Sequence, residues 1–235
     1  MPKSMMFAAA FAVALLAVAL PARADDATDC LVNAQVLIKT DPDRVAAACR
    51  RQADQGDAYA QSTLGLMYEQ GTSVPQDYAE AARWFHKAAD HGDAFAQGAL
   101  GWMYENGKGV PQDYAEAMQM YRKGANQGFD YAEYSVGSMF DRGEGVARDA
   151  SEAARWYRNA ADHAYGRAQT SLGLMYATGQ GVPQDYVSAD MWFNLATAAG
   201  NADADKNRTD VETLMTPEQI AEAKRRASEW KPSKP

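Results

Sequence analysis

Three histidines are the residues whose type most readily suggests chemistry. His91 and His163 lie 72 residues apart, each at the predicted end of a helix, where an imidazole suits the negative end of the helix dipole. His86 is predicted to lie on the polar side of a helix, in solvent. A zinc site needs three or four convergent ligands, and the sequence does not bring that many together. We therefore expect no metal and no cofactor.

Two short motifs resemble catalytic signatures. Gly107-Lys108-Gly109 lacks the third glycine of a dinucleotide fingerprint and follows a predicted helix instead of a strand. Ser228-Glu229-Trp230-Lys231 has S-x-x-K spacing, but the chain lacks the S-D-N and K-T-G motifs that accompany it in β-lactamase-type enzymes. Because no catalytic constellation is complete, we expect that the protein is not an enzyme.

A 36-residue period organises the elements that carry these residues. Four units follow one another without insertion, at 57–92, 93–128, 129–164 and 165–200, and each predicts two helices. In each unit apolar residues recur at helical spacing on one face of each helix. The positions that keep the period include the glycines Gly65, Gly101, Gly137 and Gly173, and the alanines Ala60, Ala96, Ala132 and Ala168.

Local signals set the limits and packing of these helices. Asp77 followed by Glu80 has capping-box spacing at the start of a second helix. A glycine inside a helix costs about 1 kcal/mol, so Gly65 predicts a close approach of the partner helix. Each pair covers its apolar face only by stacking on its neighbours. The sequence therefore predicts an all-α fold, a right-handed α/α superhelical solenoid of 36-residue helix-turn-helix repeats.

The two ends of the array are predicted to be capped. Residues 25–56 are interpreted as a degenerate N-terminal capping repeat, with Cys30 on its first helix and Cys49 on its second. Residues 201–230 are interpreted as a C-terminal capping helix pair, whose second helix begins at Thr216. We expect residues 231–235 to form a loose tail.

The first 24 residues predict export. Lys3 precedes an apolar run of 16 residues, and Ala22-Arg23-Ala24 has the small-x-small pattern of a signal-peptidase site. The run is shorter than the roughly 20 residues of a membrane-spanning helix, although an uncleaved anchor is the alternative. Cleavage after Ala24 would place the protein in the periplasm or outside the cell, without stable membrane insertion.

The net charge indicates the class of binding partner, and the two cysteines indicate a disulfide. Residues 1–24 hold two of the 23 basic residues and none of the 31 acidic ones, so residues 25–235 carry a net charge of −10. Such a surface repels nucleic acid and favours a partner with basic groups. In an oxidising compartment Cys30 and Cys49 predict one disulfide, the alternative being two buried thiols. We expect a monomer.

The repeats resemble the Sel-one-like repeat family, which is related to the tetratricopeptide repeats. Trp84, Trp156 and Trp192 keep the family's tryptophan, whereas Met120 replaces it in the second unit. Exported members of the family act as adaptors, signalling regulators or scaffolds of the cell envelope, and some cysteine-rich relatives are described as β-lactamase-like. The second unit matches the family pattern at Ala96, Leu100, Gly101, Tyr104, Gly107, Gly109, Val110, Asp113 and Ala117.

A row of aromatic and acidic residues is the candidate binding site. They are predicted to line the concave face formed by the first helices, although partial burial between units is the alternative. We therefore expect an exported module that binds a protein or peptide. The alternatives are an envelope hydrolase or cell-wall-binding protein, and a secreted effector that binds a host protein. The candidate residues are Tyr59, Phe95, Trp102, Glu105, Tyr131 and Tyr134.

Overall fold

A computed structural model describes Cys30 and residues 41–233 of the chain. This part consists of helices and turns, and none of its helices has the length and apolar character needed to cross a bilayer. The predicted signal peptide, 1–24, lies outside the described residues. Eleven helices lie within residues 41–233: α1 (Pro42–Asp54), α2 (Ala58–Gln70), α3 (Tyr78–Asp90), α4 (Ala94–Asn106), α5 (Tyr114–Ala125), α6 (Asp130–Arg142), α7 (Ala150–Asp162), α8 (Gly166–Thr178), α9 (Tyr186–Ala198), α10 (Ala202–Glu212) and α11 (Pro217–Glu229).

Aspartate side chains begin most of the repeat helices. The Asp77 carboxylate accepts hydrogen bonds from the backbone N–H groups of Ala79 and Glu80, which the first turn of a helix otherwise leaves unpaired. The predicted reciprocal capping box does not form there. The Asp77 N–H donates instead to the Tyr68 carbonyl at 2.9 Å, and Glu80 pairs with Arg83. Among the helices described, only α11 begins with a complete capping box, which Thr216 and Gln219 form.

The helices pack as consecutive pairs, and each pair packs on the next. Helices α2 to α9 form the four repeats, with even-numbered first helices and odd-numbered second helices. The prediction of an all-α solenoid of helix-turn-helix repeats is confirmed. The first helix α4 contacts both α2 and α6, the first helices of the neighbouring repeats. The second helices α3, α5 and α7 make fewer contacts with one another. We call the side of the stack formed by the first helices its inner side.

The glycine inside each first helix leaves room for an aromatic ring. A Cβ on Gly101 would lie 2.5 Å from Cδ1 of Tyr121, a fully buried side chain on α5. The predicted close approach therefore involves a side chain of the partner helix. Phe85, Tyr157 and Phe193 fill the same place in the other repeats.

A second glycine in the loop between paired helices contacts the preceding repeat. Gly109 has φ +71°, and a Cβ there would overlap the backbone carbonyl of Tyr78 at the start of α3. Gly145 and Gly181 lie in the same way against Tyr114 and Ala150. Backbone therefore packs on backbone wherever one of these repeats follows another.

The ends of the stack are held by different contacts. Cys30, which lies in a helix, forms a disulfide with Cys49 of α1, with Cα atoms 4.7 Å apart. At the other end α10 and α11 pack on α9, and the rings of Trp230 and Trp192 are 6.1 Å apart. The tail is not loose up to Ser233, whose backbone N–H donates to the Asp162 carbonyl at 2.8 Å.

Candidate functional site

The histidines make contacts within and between helix pairs. His163 Nδ1 lies 2.9 Å from the buried carboxylate of Glu133, whose pKa burial raises. His86 is half-buried, with Nε2 3.3 Å from the Tyr104 hydroxyl, and so is not simply in solvent as predicted. Across the described ranges, no group of three or more His, Cys, Asp or Glu residues could hold a metal ion.

One polar pair recurs between the start of a first helix and the end of its second helix. His91 Nδ1 lies 3.1 Å from Gln61 Oε1 in the first repeat, and Gln127 donates to Gln97 at 2.8 Å in the second. In the fourth repeat Ala199 occupies the position that His91 and Gln127 hold in the first and second repeats, and its side chain cannot form this hydrogen bond. The Oε1 atom of the buried Gln169 therefore has no hydrogen-bond partner among the described residues.

An apolar groove of about 310 Å³ lies on the inner side of the stack. It crosses three consecutive first helices, because α2, α4 and the start of α6 each contribute side chains. Aromatic rings form most of its wall, and one carboxylate lies at its edge. The lining residues are Leu66, Glu69, Phe95, Ala99, Trp102, Phe129 and Tyr131.

One ring of the groove, that of Phe129, lies at a helix start where the two earlier repeats have aspartate. Phe129 occupies the N-cap position that Asp93 holds one repeat earlier, so α6 begins without a side-chain cap. Losing such a cap costs about 1 kcal/mol. Gly98 makes space for the ring, because a Cβ there would lie 2.5 Å from Cε1 of Phe129. The Phe129 ring is 6.2 Å from Phe95 and 5.9 Å from Tyr131.

A second and more polar groove, of about 680 Å³, lies further along the stack. Tyr134 and Tyr165 form one wall, with ring centroids 5.3 Å apart, and Arg167 and Asn201 also line it. Tyr134 also packs on the buried ring of Tyr157. Tyr134 therefore belongs to this second groove and not to the apolar one.

Three acidic residues recur at one position near the end of the first helices. Glu105 accepts a hydrogen bond from the Tyr121 hydroxyl at 2.7 Å and pairs with Arg142 of the next repeat at 2.5 Å. Asp141 pairs with Arg148 at 3.6 Å. Glu69 has no hydrogen bond or ion pair from its carboxylate to other described residues, and partial burial raises its pKa.

The six predicted binding residues divide into separate environments. Phe95, Trp102 and Tyr131 line the apolar groove, and Phe95 remains 40% exposed. Tyr59 is 58% exposed but lines neither groove. Glu105 is engaged in contacts within the protein.

Several residues that complete the groove were not predicted from the sequence. Leu66 is 36 residues before Trp102, and this spacing alone could have placed it on the same line. Phe129 could have been found as the aromatic residue that replaces a capping aspartate. Ala99 carries no signal of its own, because its small side chain only leaves space between the rings.

One buried acid lies at the C-terminal end of the stack. Asp190 on α9 is fully buried, and its Oδ1 atom accepts a hydrogen bond from Asn194 at 3.0 Å. Its Oδ2 atom has no hydrogen-bond partner in the described part of the chain. Burial, together with the Glu212 carboxylate of α10, raises the pKa of Asp190 to about 6. At this place the first and third repeats carry Ala82 and Ala154.

Comparison with known proteins identifies the repeat. A sequence model of the Sel1 repeat matches residues 58–93, 94–129, 130–165 and 166–201, one residue later than the predicted limits. A comparison with curated protein sequences gives no match.

Solved structures show the same fold. A Sel1 repeat protein from Oxalobacter formigenes is 30% identical with a TM-score of 0.73, over 90% of this chain and 88% of that one. A protective antigen of uropathogenic Escherichia coli with an SLR fold is also 30% identical, with a TM-score of 0.75 over 87% of this chain. This chain spans 46% of that antigen's length. With four matched repeats and this similarity, the chain belongs to the Sel1 repeat family.

Proposed function

We propose that this protein is an exported interaction module that binds a protein or peptide segment along the inner side of its stack. Sel1 repeat proteins generally mediate protein–protein interactions, and this supports the general class. The observation that carries the proposal is the open apolar groove, built by side chains from three consecutive first helices.

The composition of the groove favours binding over catalysis. Phe95 and Trp102 are large rings with few rotatable bonds, and such residues dominate the energy of many interfaces. Phe129 adds a third ring to the groove, from an N-cap position that an aspartate holds one repeat earlier. Across the described residues the groove brings together no nucleophile and base.

Photo-crosslinking in the native cell tests the proposal. A benzoylphenylalanine introduced at position 95 keeps an aromatic ring in the groove and should form a discrete adduct with one protein. The same residue at position 123, exposed on α5, serves as the control and should form none. Equal labelling from both positions, or none from either, would contradict binding through the inner side.

A double substitution provides the quantitative arm of the test. Phe95→Ala with Trp102→Ala should lower partner recovery at least tenfold, about 1.4 kcal/mol. The matched control, Gln119→Ala with Lys123→Ala on the exposed side of α5, should leave recovery unchanged. Circular dichroism and melting of both variants separate lost binding from lost folding.

Export requires its own measurement. Cell fractionation and N-terminal sequencing should find the protein outside the cytoplasm, beginning at Asp25. A cytoplasmic protein that retains Met1 would contradict export while leaving the binding proposal intact.

A further inference from the structure

One position near the end of the first helices is acidic in three repeats, where it holds Glu69, Glu105 and Asp141. The contacts of these carboxylates indicate the chemistry of the partner. In the second repeat the carboxylate of Glu105 receives a cation from the following repeat, because Arg142 lies 2.5 Å away. In the third repeat Asp141 accepts from Gln180 of the following repeat at 3.1 Å and also pairs with Arg148. Each of these carboxylates is therefore satisfied inside the protein.

The first repeat lacks this internal partner. Asn106 stands where Arg142 stands one repeat later, and its amide donates to the Trp102 carbonyl at 2.8 Å. Lys108 stands at the place of Gln180, but its ammonium group lies over the Tyr78 ring, 5.5 Å from the centroid. The Glu69 carboxylate is thus partly buried without a cation among the described residues.

The groove beside this carboxylate has the composition of a site for a cationic side chain. Leu66 and the rings of Phe95 and Trp102 offer apolar surface to an aliphatic stem, and aromatic faces attract ammonium and guanidinium groups. Burial of an unpaired carboxylate is unfavourable, and an incoming cation would relieve that cost. The chain as a whole carries a net charge of −8, which speeds the approach of a basic partner.

We propose that this groove binds a protein segment through a lysine or arginine side chain, with its stem against Phe95 and Trp102 and its cationic group paired with Glu69. The inference rests on the proposed function and specifies the chemistry of the partner. Because Glu105 and Asp141 are already paired, the basic residue enters at the first repeat and not at the equivalent positions further along.

Selection of short random peptides displayed on phage tests the chemistry of the partner directly. Peptides retained by the protein but not by the Phe95→Ala, Trp102→Ala variant should be enriched in lysine or arginine next to an apolar residue. Groove-dependent peptides without a basic residue would overturn this inference and leave the proposed function standing. If no retained peptide depends on the groove, both proposals fail. Dimerisation that is lost in the same variant would also overturn the inference, because a second copy would then be the occupant.

A double-mutant cycle locates the cation. The most enriched peptide should lose about tenfold in affinity, roughly 1.4 kcal/mol, when its basic residue is replaced by norleucine or when the protein carries Glu69→Gln. The two changes together should cost little more than either alone, because they remove the same contact. The control Asp141→Asn, at an acid that is already paired, should change the affinity less than twofold. Unchanged affinity in Glu69→Gln, or additive losses, would overturn the pairing.

Discussion

Replacing Gly101 with alanine places a methyl group in the contact between α4 and Tyr121, and the structure gives the size of the overlap. The new Cβ would lie 2.5, 2.6 and 2.8 Å from Cδ1, Cε1 and Cγ of the ring, whereas carbon atoms in optimal contact are about 3.5–4.0 Å apart. The ring or the helix must therefore shift by about 1 Å. Tyr121 cannot swing into solvent, because it is fully buried and its hydroxyl donates to Glu105.

Two opposing energies set the expected effect of Gly101→Ala. Because the overlap is with three atoms of a fully buried ring, we place its cost in the upper part of the usual range for overpacking, at about 2–3 kcal/mol, and the better helix propensity of alanine offsets about 1 kcal/mol of that cost. We therefore expect a net loss of about 1–2 kcal/mol, or a melting temperature roughly 2–8 °C lower for a protein of this size.

Thermal and urea unfolding followed by circular dichroism measure this loss. Gly166→Ala is the matched control, because its Cβ would meet only the Cβ of Ala199, at an ordinary 3.4 Å, and its stability should be unchanged or higher. If Gly101→Ala is as stable as the wild type while the control behaves as expected, the contact with Tyr121 does not explain the glycine.

Three further changes test contacts elsewhere in the stack. Ala199→Gln should supply the missing donor to buried Gln169 and raise stability by about 1 kcal/mol in urea unfolding; an unchanged midpoint would mean that another donor already serves that amide. Because the folded-state pKa of Asp190, about 6, lies above the ordinary 3.8, stability from this group is full below about pH 4 and is lost as the pH rises through 6. Asp190→Asn should therefore stabilise the protein at about pH 7.5 and not at about pH 4, and an equal effect at both would refute the titration. Cys49→Ser should remove roughly 3 kcal/mol of loop constraint and expose α1 to limited proteolysis, whereas an unchanged cleavage pattern would show that α1 is held without the disulfide.

The repeat could be predicted because it is encoded four times. Gly101 and its equivalents recur at the same spacing, and helix starts, helix ends and packing faces all follow that spacing. The partners of individual polar side chains could not be predicted in this way. Glu80 has capping-box spacing from Asp77, yet the N–H that it would accept is already bonded to the Tyr68 carbonyl, a contact that depends on the loop between the helices.

The candidate groove was predicted only in part, for a related reason. Phe95 is visible because aromatic residues recur at its position in three units, and Trp102 because it lies on the same side of the predicted helix. Phe129 lies at a helix start, where the side chain is expected to cap and not to bind. Glu105 has the right position but is engaged by Arg142 of the next repeat. That pairing follows from the contact of two repeats and not from the pattern of either one.

The loop glycines fix the pitch of the stack. At Gly109, Gly145 and Gly181 main-chain atoms of one repeat contact main-chain atoms of the preceding repeat. Such contacts cannot adjust by a change of side-chain rotamer. Equivalent residues of successive repeats are therefore evenly spaced along the inner side. A partner whose own side chains repeat at that interval would engage several positions at once and gain avidity without any new kind of contact. A partner with a different interval would have to bend to fit.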